Sequence, residues 1–294
     1  MKILVYRGDG ETAAWVAAFE AALPDARVTT RVDSDCDYAV LWAPTAAVFA
    51  QLQQVKAIFL MGAGVDAILR FGDALPAAPI IRLGDAGMGA QMADYVTHAV
   101  LRYFRRFDEY DRQLKLGVWK PLPAREKSAF TVGVLGMGQL GTRVVDALRP
   151  FGFPVRGFHR TGTSTLDDFL SGLRVLVCLL PLTPDTENLL DHARLSLLAK
   201  GGYVINVARG AHIVDEDLLA LIRAGHLAGA TLDVFREEPL PLDHPFWGEP
   251  RITITPHISA LTLLNESVQQ IAFKIQALAR GETVADIVDR TRGY

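Results

Sequence analysis

Residues 131–141 read TVGVLGMGQLG, and this stretch decides the fold of the second half of the chain. The apolar run 132–135 predicts a buried strand, and 142–148 predicts a helix. The turn between them has the glycine spacing G-x-G-x-x-G. A strand, a tight glycine turn and a helix together hold a dinucleotide pyrophosphate at the helix N-terminus. The cofactor site predicted here comprises Gly136, Gly138, Gln139, Leu140 and Gly141.

The residues after the next predicted strand favour NADP(H). NAD-binding folds of this kind usually carry an Asp or Glu about twenty residues after the glycines, where it binds the ribose hydroxyls. This chain has His159, Arg160 and Thr161 there instead. Because a cation at this position suits a 2′-phosphate, we predict NADP(H) as the preferred cofactor, with NAD(H) as the alternative.

Length and composition predict a globular protein of two domains. The chain has 294 residues, of which 50% are hydrophobic and 21% are charged, as is typical of a folded α/β protein. Its net charge of −3 offers no broad basic surface for nucleic acid or an anionic membrane. The two cysteines are far apart, and we expect buried, reduced thiols. We therefore expect a cytoplasmic location, without nucleic-acid or membrane partners.

Short apolar runs alternate with helical patterns through nearly the whole chain, which predicts parallel sheets with helical crossovers. One long helix is predicted over 91–116, and a last helix over 261–280. The predicted strands are 2–6, 27–32, 38–42, 57–60 and 80–83 in the first half, and 131–135, 155–158, 175–180, 203–207, 229–234 and 252–255 in the second.

Arg209 directly follows a predicted buried strand, at the sheet edge where ligands bind in open α/β folds. Gly210 then allows the chain to turn sharply. The guanidinium of Arg209 suits a substrate carboxylate together with an adjacent carbonyl oxygen. The alternative interpretation is an arginine that caps a helix or bridges two domains.

Two further strand ends supply a carboxylate and an imidazole. Glu238 follows the predicted strand 229–234, and His257 follows the strand 252–255. Such a pair suits acid–base chemistry, because the carboxylate fixes the imidazole tautomer and favours its protonated form. Glu237 is the competing carboxylate. A lone His at a strand end is more often only a hydrogen-bonded surface residue.

The glycine turn, Arg209, Glu238 and His257, in that order, resemble the D-isomer-specific 2-hydroxyacid dehydrogenase family, whose active site uses an Arg, a Glu and a His in this sequence. The resemblance implies a Rossmann dinucleotide-binding domain inserted into a discontinuous flavodoxin-like substrate domain. It also implies a homodimer built on the Rossmann domains. The implied domains are 1–92 with 262–294 for substrate and 93–261 for the dinucleotide. The segments that carry the resemblance are 87–110, 119–123, 206–210, 237–241, 252–257 and the terminal VDRTRGY.

The resemblance implies NADPH-dependent reduction of small 2-oxo acids by hydride transfer to C2. Glyoxylate would give glycolate, and hydroxypyruvate would give D-glycerate. In these roles His257 protonates the carbonyl oxygen, Glu238 supports the imidazolium, and Arg209 binds the carboxylate. Two alternatives stay open: a D-2-hydroxyacid dehydrogenase for a larger oxo acid, and a non-catalytic dinucleotide-sensing protein of the same fold.

Residues in the first half complete the predicted substrate site. The segment 61–66 reads MGAGVD, and its near-absence of side chains leaves the N–H groups of Ala63 and Gly64 to bind a carboxylate. By itself the segment would be only a turn, and the resemblance favours binding. Trp42 is predicted as a pocket wall, with core packing as the alternative. On the nicotinamide side the resemblance implies Pro181, Val207 and Asp233, and no metal ligand is predicted.

Overall fold

Two parallel sheets form the framework of this chain in a computed structural model that describes residues 1–159 and 164–294. The chain divides into two units, residues 1–88 with 262–294 and residues 89–261. Each unit is built on one of the sheets, with helices in the connections between strands. The predicted α/β fold is therefore confirmed.

The first sheet consists of five parallel strands: β1 (Lys2–Arg7), β2 (Arg27–Thr29), β3 (Tyr38–Trp42), β4 (Ala57–Leu60) and β5 (Ile80–Ile81). Their order is β2-β1-β3-β4-β5, which is that of flavodoxin-like sheets. The connecting helices are α1 (Ala13–Ala22), α2 (Ala46–Gln51) and α3 (Asp66–Leu69). The central strands are apolar almost throughout, because both faces of the sheet are covered.

The second sheet consists of six parallel strands: β6 (Val132–Leu135), β7 (Val155–Phe158), β8 (Val175–Cys178), β9 (Gly202–Asn206), β10 (Leu227–Leu232) and β11 (Ile252–Ile254). Their order is β11-β10-β9-β8-β6-β7. The carboxyl ends of all six strands consequently lie at one edge. The helices of this region are α4 (Met88–Phe104), α5 (Phe107–Lys115), α6 (Gln139–Leu148), α7 (Leu166–Leu170), α8 (His192–Leu195) and α9 (Asp215–Arg223).

The prediction of one long helix over 91–116 is wrong, because two helices, α4 and α5, occupy that stretch. Arg106, between them, has a left-handed backbone with φ of +63°. Its guanidinium binds the carboxylate of Glu109 at 2.8 Å and the carbonyl of Pro123 at 3.0 Å. Apolar periodicity does not reveal this break, since arginine is a good helix former and the contacts that hold the turn lie farther along the chain.

The last helix, α10 (Leu264–Ala279), belongs to the first unit. Lys274 on this helix forms a buried ion pair of 2.7 Å with Asp286, and its ammonium also donates to the carbonyl of Arg82. Ile287 then pairs with Ile81 of β5 in an antiparallel bridge. These contacts fix the C-terminal segment to the edge of the first sheet.

No helix in the described part of the chain is long and apolar enough to cross a membrane. The two cysteines, Cys36 and Cys178, are free and buried, as the sequence predicts. Burial raises the pKa of the Cys36 thiol.

Candidate active site

The glycine turn joins β6 to α6, and two of its positions require glycine. Gly136 has φ of +110°, and a Cβ there would lie 2.6 Å from the main chain of Leu179. A Cβ on Gly141 would collide with the carbonyl oxygen of Gly136. A side chain at either position would therefore disrupt the close approach of the strand, the turn and the helix.

Gly138 differs from these two glycines, because none of the described residues has an atom within 4 Å of the position that its Cβ would take. It is the N-cap residue of α6, which begins at Gln139, and as a glycine it has no side chain to cap the helix. The first N–H groups of a helix lack partners within it and attract anions. A pyrophosphate fits this combination of donors and free space beside the backbone. Gln139 is exposed, and Leu140 packs partly against the core.

His159 lies at the same edge of the sheet as the glycine turn. It directly follows β7, whose last residue, Phe158, is paired with Leu135 of β6. Its side chain is exposed. Arg160 and Thr161, which are predicted to bind the 2′-phosphate, lie outside the described residues.

Arg209 follows β9 in a turn that is held by hydrogen bonds from buried neighbours. The side-chain amide of Asn206 donates to the Arg209 carbonyl at 2.9 Å, and its oxygen accepts from the N–H of Ala208 at 3.1 Å. The Arg209 guanidinium is half-buried and donates to the Ala208 carbonyl at 2.7 Å. The turn therefore presents a constrained cation at the carboxyl edge of the sheet.

His212 also holds this turn, although it is not among the site residues predicted from the sequence. It is fully buried, with Nδ1 3.0 Å from the carbonyl oxygen of Arg209 and Nε2 3.3 Å from that of Pro181. Burial alone would lower the pKa of His212, but the Cys178 thiol and the two carbonyl oxygens outweigh it, so that the pKa is raised. Its position three residues after Arg209 is the only sequence signal for this role.

Gly210 brings the Arg209 turn against the segment that follows β10. A Cβ on Gly210 would collide with the main chain of Phe235 and Arg236. Arg236 donates to the carbonyl of Ile213 at 3.2 Å, so its side chain also ties the two segments together. The strand ends that carry Arg209 and Glu238 are therefore in direct contact.

Glu238 and His257 are paired at the ends of the neighbouring strands β10 and β11. Oε2 of Glu238 lies 2.7 Å from Nδ1 of His257, while Oε1 accepts from the N–H of Phe235 at 2.9 Å. The carboxylate partner is Glu238 rather than its competitor Glu237. Since Nδ1 faces a carboxylate, Nε2 is the ring nitrogen that remains for proton exchange with a ligand.

Asp233 is completely buried and its carboxylate binds its own chain. Oδ1 accepts from the Thr255 hydroxyl at 2.5 Å and from the N–H of Ile258 at 2.8 Å, and Oδ2 accepts from the N–H of Ser259 at 2.8 Å. These bonds attach the segment around His257 to the end of β10. A contact of Asp233 with the cofactor stays a prediction.

Pro181 and Val207 follow β8 and β9 at the same edge. The Pro181 carbonyl accepts from the Thr186 hydroxyl at 2.8 Å, in addition to its contact with His212. Val207 is buried, and its N–H donates to the Cys178 carbonyl at 3.3 Å. Their contact with a nicotinamide stays a prediction.

Within the first unit, Trp42 and the glycine-rich segment lie side by side. Trp42 ends β3 with 41% of its surface exposed, and a Cβ on Gly62 would lie 3.1 Å from its ring. Among the described residues, no main-chain carbonyl accepts from the N–H of Ala63 or Gly64. The structure thus shows two donors at this strand end, and their role in substrate binding stays a prediction.

A glycine turn at the point where strand order reverses, together with an Arg and a Glu–His pair at adjoining strand ends, is the arrangement of a dinucleotide-dependent oxidoreductase. Residues 97–259 match the family model described as D-isomer specific 2-hydroxyacid dehydrogenase, NAD binding domain. The chain belongs to the D-isomer specific 2-hydroxyacid dehydrogenase family. The resemblance found in the sequence and the predicted class of enzyme are confirmed.

Relatives cover the whole chain. A protein named glyoxylate/hydroxypyruvate reductase A from Yersinia enterocolitica is 44% identical over 100% of both chains. A D-isomer specific 2-hydroxyacid dehydrogenase from Xanthobacter autotrophicus, solved with NADPH and MES, has a TM-score of 0.94 at 36% identity and covers 99% of this chain and 100% of its own. An NADPH-dependent glyoxylate/hydroxypyruvate reductase from Sinorhizobium meliloti, solved with NADP and sulfate, has a TM-score of 0.93 at 31% identity, with 100% and 99% covered.

Proposed function

We propose that this protein reduces small 2-oxo acids with NADPH, converting glyoxylate to glycolate and hydroxypyruvate to D-glycerate. The observation that carries the proposal is the 2.7 Å bond between Glu238 and His257, beside the strand that leads to Arg209. The reductases from Yersinia enterocolitica and Sinorhizobium meliloti support the choice of substrates.

His257 is the general acid in this proposal. Its Nε2–H donates a proton to the substrate oxygen as C2 is reduced, and Glu238 at Nδ1 fixes the tautomer that makes this possible. Glu238 also stabilises the positive charge that the imidazolium carries before it gives up the proton. The second oxygen of Glu238 is held by the Phe235 N–H, so that the carboxylate has one orientation.

Arg209 binds the substrate carboxylate and polarises the carbonyl oxygen. A guanidinium presents two parallel N–H groups, which suit both oxygens of an oxo acid at once. Positive charge at this place also stabilises the alkoxide that develops on the carbonyl oxygen. Asn206 and His212, which bind the Arg209 carbonyl, keep the guanidinium at the strand end.

Ala63 and Gly64 are proposed to bind the substrate carboxylate through their N–H groups, and Trp42 to form an apolar wall. Two adjacent N–H donors that find no main-chain acceptor among residues 1–159 and 164–294 are suited to an anion. Because Trp42 remains 41% exposed, it has apolar surface available for a ligand.

NADPH supplies the hydride when it is bound. The residues present fit it: Gly136 and Gly141 shape the turn, and Gly138 leaves room beside the N-terminus of α6. The structures of relatives that contain NADPH or NADP agree with the cofactor predicted from the sequence. Arg160 is the residue proposed to select the 2′-phosphate. Its substitution Arg160→Ala is expected to reduce the ratio of kcat/KM for NADPH to that for NADH.

We further propose that the protein is a homodimer. Apolar side chains are exposed on and after α5, and Trp119 has its whole surface exposed. A cluster of this kind on one stretch of chain is typical of an interface. The cluster comprises Phe107, Leu114, Leu116, Val118 and Trp119. The buried free cysteines are compatible with the cytoplasmic location that belongs to the same proposal.

The decisive experiment follows NADPH absorbance while purified protein is offered glyoxylate, hydroxypyruvate and a series of bulkier 2-oxo acids. We expect turnover with highest kcat/KM for the two smallest acids. Highest kcat/KM for a bulkier acid would replace the substrate assignment, and NADPH binding without any turnover would identify a dinucleotide sensor. Equal kcat/KM with NADPH and NADH would contradict the role of Arg160.

A further inference from the structure

We propose that Tyr95 and Thr255 are positioning residues, which hold His257 in its reactive place through the carboxylate of Asp233. The catalytic consequence rests on the proposed function, whereas the structural consequence does not. Neither residue is part of the predicted site, and Tyr95 lies on α4, far from His257 in sequence.

The segment that carries His257 has a backbone that needs support. His257 has φ of +54°, a left-handed conformation that is unfavourable for a residue with a side chain. Its N–H donates to the Asp233 carbonyl at 2.9 Å, and the next two N–H groups, of Ile258 and Ser259, donate to the Asp233 carboxylate. Three consecutive amides thus converge on one buried residue, as the left-handed turn allows.

The Asp233 carboxylate is in turn held by a directional pair of hydroxyl groups. Thr255 Oγ1 lies 2.5 Å from Oδ1 of Asp233 and also 2.5 Å from the Tyr95 hydroxyl. A carboxylate can only accept, so Thr255 must donate its single proton to Asp233. Tyr95 must then donate to Thr255. The chain of donors runs one way, from α4 to the segment of His257.

The Tyr95 hydroxyl is suited to act as a permanent hydrogen-bond donor. Burial raises the pKa of Tyr95 to about 12, and the Thr255 hydroxyl only partly offsets this. The phenol therefore keeps its proton at any pH at which the enzyme would act. A fixed donor at this position orients Thr255, and through it Asp233.

The same unit contains a second tyrosine–threonine pair, and it provides a control because its threonine is not the one that binds the Asp233 carboxylate. The Tyr203 hydroxyl lies 2.9 Å from the hydroxyl of Thr231, and burial raises the pKa of Tyr203 to about 12 as well. Tyr203 is on β9 and Thr231 on β10, within the sheet. Removing this bond is expected to lower stability by a similar amount while leaving the bonds of Asp233 intact.

Kinetics of four variants test the proposal. Tyr95→Phe and Thr255→Val, which lose a hydroxyl, are expected to lower kcat about tenfold with little change in the Kd for NADPH, because a general acid that is slightly misplaced reacts slowly. Thr255→Ser, which keeps the hydroxyl, is expected to restore most of kcat. The control Tyr203→Phe is expected to retain kcat. Equal losses in Tyr203→Phe and Tyr95→Phe, or no rescue by Thr255→Ser, would overturn it.

Amide hydrogen exchange tests the structural consequence of the proposal, and this measurement does not depend on turnover. We expect Thr255→Val to increase exchange at residues 257–259, and the control Thr231→Val to leave these amides protected. Unchanged protection in Thr255→Val would refute the positioning role even if the protein proves to be a reductase. Increased exchange in a protein that shows no oxo-acid turnover would refute the proposed function alone.

Discussion

The two sheets of this protein share a strand order and differ in what occupies the corresponding edge. In the first unit the order is β2-β1-β3-β4-β5, and in the second, read from β7, the first five strands follow the same pattern and β11 is added. In both sheets the second strand lies on one side of the first strand and the third strand lies on the other, so the strand order reverses beside β1 and beside β6. Ligands of open α/β sheets bind at this switch point.

In the part of the chain that the structure describes, the switch point of the second sheet is open at Gly138, and that of the first is filled by side chains. After β6 the chain turns through glycines directly into α6, with free space at Gly138. At the end of β1 the Arg7 guanidinium lies 6.0 Å from the ring centre of Trp15 and 5.9 Å from that of Trp42, and it pairs with Asp9 at 2.6 Å. Strand order alone thus does not create a dinucleotide site, because the residues at the turn decide it.

The largest effect is expected from removing the proposed general acid, which belongs to the second unit. His257→Ala removes the proposed acid of the second unit, so kcat should fall by a factor of about 10² to 10⁴ while the Kd for NADPH stays nearly unchanged. His192→Ala, at an exposed histidine of α8, is the control and should retain kcat. Steady-state kinetics with glyoxylate measure both, and unchanged turnover in His257→Ala would remove His257 from this role.

The second largest effect is expected on NADPH affinity, when the space at the switch point of the second sheet is occupied. Gly138→Ala adds a methyl group where no atom of the described residues lies within 4 Å, so the folded chain should accommodate it. A bound pyrophosphate would approach the same space, and we expect the Kd for NADPH to rise about tenfold or more. Gly248→Ala, also in open space, is the matched control. Fluorescence titration gives the Kd, and equal affinities in the two variants would place the dinucleotide elsewhere.

A smaller effect is expected on substrate binding in the first unit, where main-chain N–H groups rather than side chains are the proposed donors. Gly64→Val should raise KM for the oxo acid about tenfold, which is the loss of roughly one hydrogen bond to a charged group. The Kd for NADPH should not change. Ala67→Val, on an exposed position of α3, is the control. A normal KM in Gly64→Val would count against the segment as a carboxylate site.

The smallest effect concerns the filled switch point. Arg7→Ala removes the cation beside Trp42 and should lower the free energy of unfolding by about 1 kcal/mol. KM for the oxo acid should rise a few-fold, since Trp42 would lose a neighbour that orients it. Arg27→Ala, at an exposed position of β2, is the control, and urea titration with kinetics measures both effects. Loss of NADPH affinity in Arg7→Ala would break the distinction between the two sheets.

Local patterns predict the framework well. β3, β4 and β7 have the predicted limits, because alternating apolar runs and turns are properties of neighbouring residues. The glycine spacing, Arg209, Glu238 and His257 also stand out locally, as polar or glycine residues within a few positions after apolar strands. The break at Arg106 does not, since the contacts that hold it come from residues up to Pro123.

Residues that act on the site through distant contacts could be identified only from the folded structure. The sequence alone was sufficient for the α/β class, the dinucleotide turn and the family, because these depend on the order and spacing of nearby residues. The placement of His212 against Arg209 and the line from Tyr95 to Asp233 depend on which strand ends become neighbours. Only tertiary packing brings such groups within hydrogen-bonding distance, because a one-dimensional pattern contains no information on which polar atoms share a buried space.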